Sequence, residues 1–159
     1  MADDFTVELR WRYVGDDDDV RWSYSRAVYA YLAPAKPAIY YIGKCYGEGT
    51  DVRGRWRYLA KKDVWDCINK HSKNHRLIVA EFVLPEGMNL TKQLVDDIEC
   101  LLIFRLQPPC NVQCKSSGGK YRRPGMRVVC VGNAWPLSER TFRDTDEDSH
   151  LRCRRTRSG

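Results

Sequence analysis

The segment from Ala27 to Lys44, AVYAYLAPAKPAIYYIGK, constrains the fold more than any other stretch of the chain. Two apolar runs bearing tyrosines flank a turn punctuated by Pro34 and Pro37. Each run alternates with the period of a half-buried strand, and the prolines mark the reversal, so the segment is predicted to be a β-hairpin. A turn centred near Ala35 sets Tyr29 opposite Tyr41. The two-residue strand period then puts Tyr29, Tyr31, Tyr41 and Gly43 on one face, with Val28, Tyr40 and Ile42 on the other. Tyrosines are ordinary strand residues, and facing pairs often only pack, so the hairpin indicates a fold before it indicates a site.

The remaining elements follow from periodicity and punctuation. Val7, Leu9, Trp11 and Tyr13 alternate with charged residues, which predicts a strand with one buried face, added to the sheet. The acidic run Asp16 to Asp19 reads as a solvated loop, and as a poor metal site because adjacent side chains diverge. CYGEGT is a glycine-rich loop, after which Asp51 is placed to cap a helix whose Val52, Trp56 and Leu59 share a face and which presents Arg55. A second short helix is expected from Asp63, using Val64, Trp65 and Ile68. His75 to Leu84 is too continuously apolar for an edge strand, and Pro85-Glu86-Gly87 ends it. Asn89 to Leu106 is the longest helix, with Leu94, Ile98, Leu101, Leu102 and Leu106 at helical spacing and Pro108 and Pro109 stopping it. Arg127 to Val131 is a further strand candidate, and the charged stretch from Asp144 is expected to be disordered.

The expected class is therefore α/β, more closely α+β, with a small central antiparallel sheet flanked by helices and extended by strands at both ends. The organisation expected is a strand extension over 1–24, a core over 25–115, a basic loop and strand over 116–143, and a tail over 144–159.

With 159 residues the chain suits one core, and a formal charge of +6 favours an anionic partner. From Lys115 to Arg143 seven basic residues stand against the single acid Glu139, so nucleic-acid phosphates are expected there. The seven cysteines are odd in number, no signal peptide is read before them, and Cys67, Cys100 and Cys130 lie inside apolar runs as small core residues. That pattern predicts a reduced, cytoplasmic protein. Cys110 and Cys114 lack a second pair with ligand spacing, which argues against a structural zinc. No apolar stretch reaches the length of a membrane span, so no membrane partner is expected.

One carboxylate invites chemistry. Glu99 is embedded among Ile98, Cys100, Leu101, Leu102, Ile103 and Phe104, so it borders a core. Burying such a charge unpaired costs several kcal/mol, and a metal ion or an arginine should sit beside it.

In order and character, Tyr41-Ile42-Gly43, the string Asp51-Val52-Arg53-Gly54-Arg55-Trp56, the helix around Glu99 and then Asn111 resemble the GIY-YIG nuclease family, over roughly Arg26 to Val112. Ala27-Val28-Tyr29 stands where that family has G-I-Y, with Ala27 a departure at the first glycine. The resemblance implies a GIY-YIG-like domain that hydrolyses DNA phosphodiester bonds by attack of water. Tyr29 would be the general base, Tyr41 would orient the nucleophile or phosphate, and Arg55 would grip phosphate oxygens. Glu99 would hold a single Mg2+ (or Mn2+). Lys44 would bind phosphate or lower the pKa of a neighbouring tyrosine, and Asn111 would brace the site. CYGEGT carries a small insertion relative to the family, so Arg53 or Arg57 is an alternative to Arg55. Leu59 stands where the family often has histidine or tyrosine, and Tyr58 is the candidate to fill that role. Arg53, Arg57, Lys115, Lys120, Arg122 and Arg123 are expected to contact nucleic acid. The substrate would be duplex or single-stranded DNA, with duplex cleavage easiest for a homodimer. Two other readings stand beside this one: a nucleic-acid-binding module on the same scaffold without turnover, and a structural interaction domain.

Overall fold

Strand β1 (Phe5–Tyr13) buries Val7, Leu9 and Trp11, the alternating residues of its sequence. In the computed structural model, which describes residues 4–33, 36–57, 62–71, 76–112, 114, 123 and 125–143, this strand lies inside the sheet. It pairs antiparallel with β4 (Arg76–Val83) on one side and parallel with β5 (Met126–Val131) on the other. With β2 (Arg26–Leu32), β3 (Ile39–Tyr46) and β6 (Thr141–Arg143) the sheet has six strands in the order β3-β2-β4-β1-β5-β6. The protein is α+β as expected, but the sheet is larger than anticipated and mixed in direction. Its amino-terminal strand is a central member, because both of its backbone edges find partners.

Two hydrophobic layers cover the sheet. Helix α3 (Lys92–Leu106) sets Leu94, Ile98, Leu101 and Leu102 against Val7, Leu9, Trp11, Val28, Ala30, Ile42 and Ile78. On the opposite face Ala27, Tyr29, Tyr31, Tyr40, Cys45 and Val79 pack with Val52 of α1 (Val52–Arg57) and with Val64 and Ile68 of α2 (Lys62–His71). Strand β3 is an edge, so helices from both layers meet it.

The caps explain where the helices begin. Asp51 Oδ1 accepts from the Gly54 amide at 2.6 Å, which starts α1 at the expected place. Thr91 Oγ1 accepts from the Leu94 amide at 3.1 Å, so α3 starts after Thr91 and not at Asn89. Gln107 ends α3 in the left-handed conformation, with φ of 51°, and Pro108 follows. In the acidic run, Asp19 caps a short 3-10 helix (Val20–Ser23), holds the Gly15 amide and pairs with Arg21, so it is structural and not merely solvated.

The hairpin forms, in a different register. Tyr29 lies opposite Gly43 and Tyr31 opposite Tyr41, which corrects the expected Tyr29–Tyr41 pairing. Between Tyr31 and Leu32 the register slips, with Leu32 opposite Ile39, so Tyr40 is the extra residue of a β-bulge. A bulge turns the inserted residue, and Tyr40 joins the tyrosine face in place of the Val28 and Ile42 face.

The cysteines also differ from expectation. Cys67 and Cys100 are not free core residues: Cys67 is bonded to Cys110 and Cys100 to Cys114, whereas Cys45 and Cys130 are free and buried. The tail from Asp144 and the loop Ser116 to Gly119 lie outside the described residues.

The capping geometry gives a stability prediction. Thr91→Ala is expected to cost about 1 kcal/mol, and Thr91→Ser to cost less, in denaturant unfolding followed by circular dichroism.

Candidate active site

Gly43 is a glycine for lack of space. A Cβ placed there would come within 2.5 Å of the Tyr29 hydroxyl oxygen, because the Tyr29 ring lies across that position. Tyr29, Tyr31 and Tyr41 form a triad, with ring centroids 5.9 Å apart for Tyr29–Tyr31, 6.0 Å for Tyr31–Tyr41 and 6.5 Å for Tyr29–Tyr41. Tyr31 is fully buried and meets the Trp65 ring edge-on at 5.6 Å. Burial pushes the phenol pKa of all three upward. At Tyr29 the neighbouring Tyr41 and Glu99 add to the rise while Arg55 opposes it, and at Tyr41 Glu99 and Arg55 act in the same opposed senses. At neutral pH these groups are therefore protonated phenols.

Strand β3 would leave backbone groups unpaired along its outer edge, and buried groups of that kind need partners. The segment behind α3 supplies them. Asn111, only 7% exposed, donates from Nδ2 to the Ile42 carbonyl and accepts from the Ile42 amide at Oδ1, both at 2.9 Å. The Cys110 amide donates to the Tyr40 carbonyl at 2.9 Å. Asn111 thus grips the middle residue of Tyr41-Ile42-Gly43 from the side.

The charged groups converge on this strand. Glu99, on α3, has its carboxyl pushed up to about 7 by burial, with Lys44 and Arg55 pulling it back. Burial pulls the Lys44 ammonium down, and Lys44 forms an ion pair with Asp96. Asp96 precedes Glu99 by three residues, so both carboxylates lie on one side of α3. Asp97 points elsewhere, accepting from Gln93 at 2.8 Å and from Arg123 at 2.5 Å. Burial raises the phenols, and Lys44 is paired with the Asp96 carboxylate.

Among the described arginines Arg55 is the one whose charge reaches Tyr29, Tyr41, Lys44 and Glu99, and it is exposed. Arg53 turns away: it donates to the Asp17 carbonyl at 2.5 Å, pairs with the Asp17 carboxylate at 3.7 Å and stacks over Trp22 at 5.3 Å. Tyr58, Lys115, Lys120 and Arg122, and the side chain of Arg57, lie outside the described residues. Arg123 is engaged with Asp97, Arg127 donates to Thr6 at 3.0 Å, and Arg140 donates to the Cys130 carbonyl at 3.2 Å. Where described, these three members of the basic stretch are thus committed to contacts within the protein.

Sequence reasoning missed Asp96 and Asp97, and treated Glu99 as the one embedded carboxylate. The signal was present: an acid one turn before Glu99 shares its side of the helix. Glu99 fits a hard divalent cation, for which carboxylate oxygens and water are the usual ligands. Its carboxyl is held in a low-dielectric setting, and no hydrogen bond to it is found among the described residues.

The Glu99 shift has a consequence for stability. A carboxyl raised from 4.5 to about 7 stabilises the fold fully below the lower value, and that contribution is lost as pH rises through the upper one. The metal-free protein is therefore expected to lose stability as pH rises from about 4.5 through about 7. Glu99→Gln should remove about 2 kcal/mol of that loss after allowance for solvent screening, as read from urea unfolding in a chelator. Parallel pH profiles for the two proteins would contradict the assignment.

A scan against protein-family models finds no match, and neither a search of curated proteins nor one of solved structures finds a similar chain.

Proposed function

We propose that the chain is a divalent-metal-dependent endonuclease that hydrolyses DNA phosphodiester bonds at a GIY-YIG-type site, on a fold of that kind. The carrying observation is the electrostatic convergence of Tyr29 from β2, Tyr41 and Lys44 from β3, Arg55 from α1 and Glu99 from α3. These residues are far apart in sequence, and no requirement of packing asks for two cations and a half-buried carboxylate beside a cluster of phenols.

Phosphodiester hydrolysis needs an aimed water, neutralisation of charge on the phosphoryl oxygens and stabilisation of the leaving oxygen. Arg55 is exposed, and a guanidinium forks onto two phosphate oxygens without losing its charge. Glu99 would hold Mg2+ or Mn2+, which when bound supplies Lewis-acid neutralisation of the phosphate and the leaving oxygen. Tyr41 is half-buried beside Tyr29 and would donate a hydrogen bond to a phosphate oxygen or to the water. In this reading Tyr29 would take the proton of the water as a phenolate, after its own phenol proton has been released to solvent. Its raised pKa makes that release depend on positive charge nearby, and Arg55 supplies such charge. Lys44 positions Asp96 and offsets the charge of Glu99. Asn111 holds the strand that carries Tyr41 and Gly43. The substrate would be duplex or single-stranded DNA, and cutting both strands of a duplex would be easiest for a homodimer.

A second reading, a nucleic-acid-binding module without turnover, is favoured by one observation: the phenols are held strongly in their protonated form.

Incubation of supercoiled plasmid with the protein and Mg2+ or Mn2+ is expected to give nicked or linear product. Glu99→Ala and Arg55→Ala should each lower the rate by about a hundredfold or more, with Glu99→Ala retaining DNA binding. Salt-sensitive binding with intact DNA under every metal would establish the second reading. Absence of any salt-sensitive affinity for nucleic acid would defeat both.

A further inference from the structure

We propose that Cys67, His71 and Cys110 form a second metal site, for a divalent ion of the zinc class, filled when the Cys67–Cys110 disulfide is reduced. Cys67 and His71 stand one turn apart on α2, so their side chains share a face. Cys110 comes from the segment behind α3. One ligand atom from each of the three lies within 4.8 Å of the others. A disulfide needs only the two sulfurs, so an imidazole at this range from both is the feature it leaves unexplained. The imidazole is also oriented, stacked on the Tyr40 ring at 5.1 Å with 19° between the planes.

The geometry and charge suit such an ion. Tetrahedral ligation with metal–sulfur and metal–nitrogen bonds of about 2.3 and 2.1 Å separates the ligand atoms by roughly 3.5–3.8 Å, so the two bonded sulfurs must part on reduction while the imidazole need close on them by at most about 1 Å. Two thiolates and a neutral imidazole cancel the divalent charge, which suits a site where Cys110 is buried and Cys67 half-buried. His71 is exposed, leaving the fourth position open to water.

The chemistry balances. Reduction of the Cys67–Cys110 bond takes two electrons and two protons and yields two thiols, while a phosphine reductant becomes the phosphine oxide with oxygen from water. The ion then displaces two thiol protons as it binds. Either tie, sulfur–sulfur or ion, fastens α2 to the segment whose Cys110 amide and Asn111 side chain hold β3. The site is independent of any cleavage activity, because its occupancy is read by binding alone.

The test reduces the full chain with a water-soluble phosphine and titrates Co2+ as a spectroscopic probe. One equivalent is expected to produce thiolate-to-cobalt charge-transfer absorption together with strong tetrahedral visible bands, which Zn2+ then displaces. His71→Ala, a change at an exposed residue, should weaken Co2+ binding at least tenfold with an unchanged circular dichroism spectrum. The pair Cys67→Ser and Cys110→Ser should abolish the thiolate absorption, whereas Cys100→Ser with Cys114→Ser should retain it. No thiolate absorption in the reduced parent protein, its survival in the Cys67 and Cys110 pair, or undiminished affinity in His71→Ala would each overturn the proposal.

Discussion

Two hydrogen bonds from one side-chain amide hold the outer edge of this sheet. Strand β3 is an edge strand and carries Tyr41, Gly43 and Lys44, so its outer backbone groups need partners that no further strand supplies among the described residues. Asn111 provides a donor and an acceptor to Ile42 together, and Cys110 provides a donor to Tyr40. Both residues are delivered by the end of α3, where Gln107 turns left-handed and Pro108 and Pro109 redirect the chain. The same helix carries Glu99. The contact that closes the sheet edge therefore also fixes where the carboxylate stands relative to the tyrosines.

From that placement the electrostatics follow. Glu99 sits where water is partly excluded, and its charge raises the pKa of Tyr29 and Tyr41, while Lys44 and Arg55 favour its ionised form. Tyr29, Tyr41, Lys44, Arg55 and Glu99 therefore form one electrostatically coupled set. Gly43 contributes by what it lacks. The Tyr29 ring crosses the space of a missing side chain, and this brings the phenol onto the strand that carries Tyr41.

A good deal of this was legible in the residues. Alternation gave the strands β1, β2 and β3 and predicted which of their residues would face together, and the register shift in the hairpin moved pairs without exchanging faces except at Tyr40. Helical spacing found α3 and the carboxylate embedded in it, while Asp51 announced the start of α1. Thr91, a standard capping type, was overlooked as the start of α3. Asp96 and Asp97 were passed over, yet on a helix adjacent side chains point about 100° apart, and these two found Lys44 and Arg123.

By itself the sequence determined the kind and extent of most elements, the buried side of each, and the presence of two phenols, a small residue, a guanidinium and a carboxylate in a fixed order. Only the tertiary structure decided that β1 lies inside the sheet beside a parallel β5, that Tyr40 bulges, that Arg53 is spent on Asp17 and Trp22 while Arg55 is not, and which cysteines meet. The physical reason is range. Propensity, capping and periodicity act within a few residues, whereas strand neighbours, ion pairs and disulfides are chosen by competition among all the edges, charges and thiols that folding brings within a few ångströms.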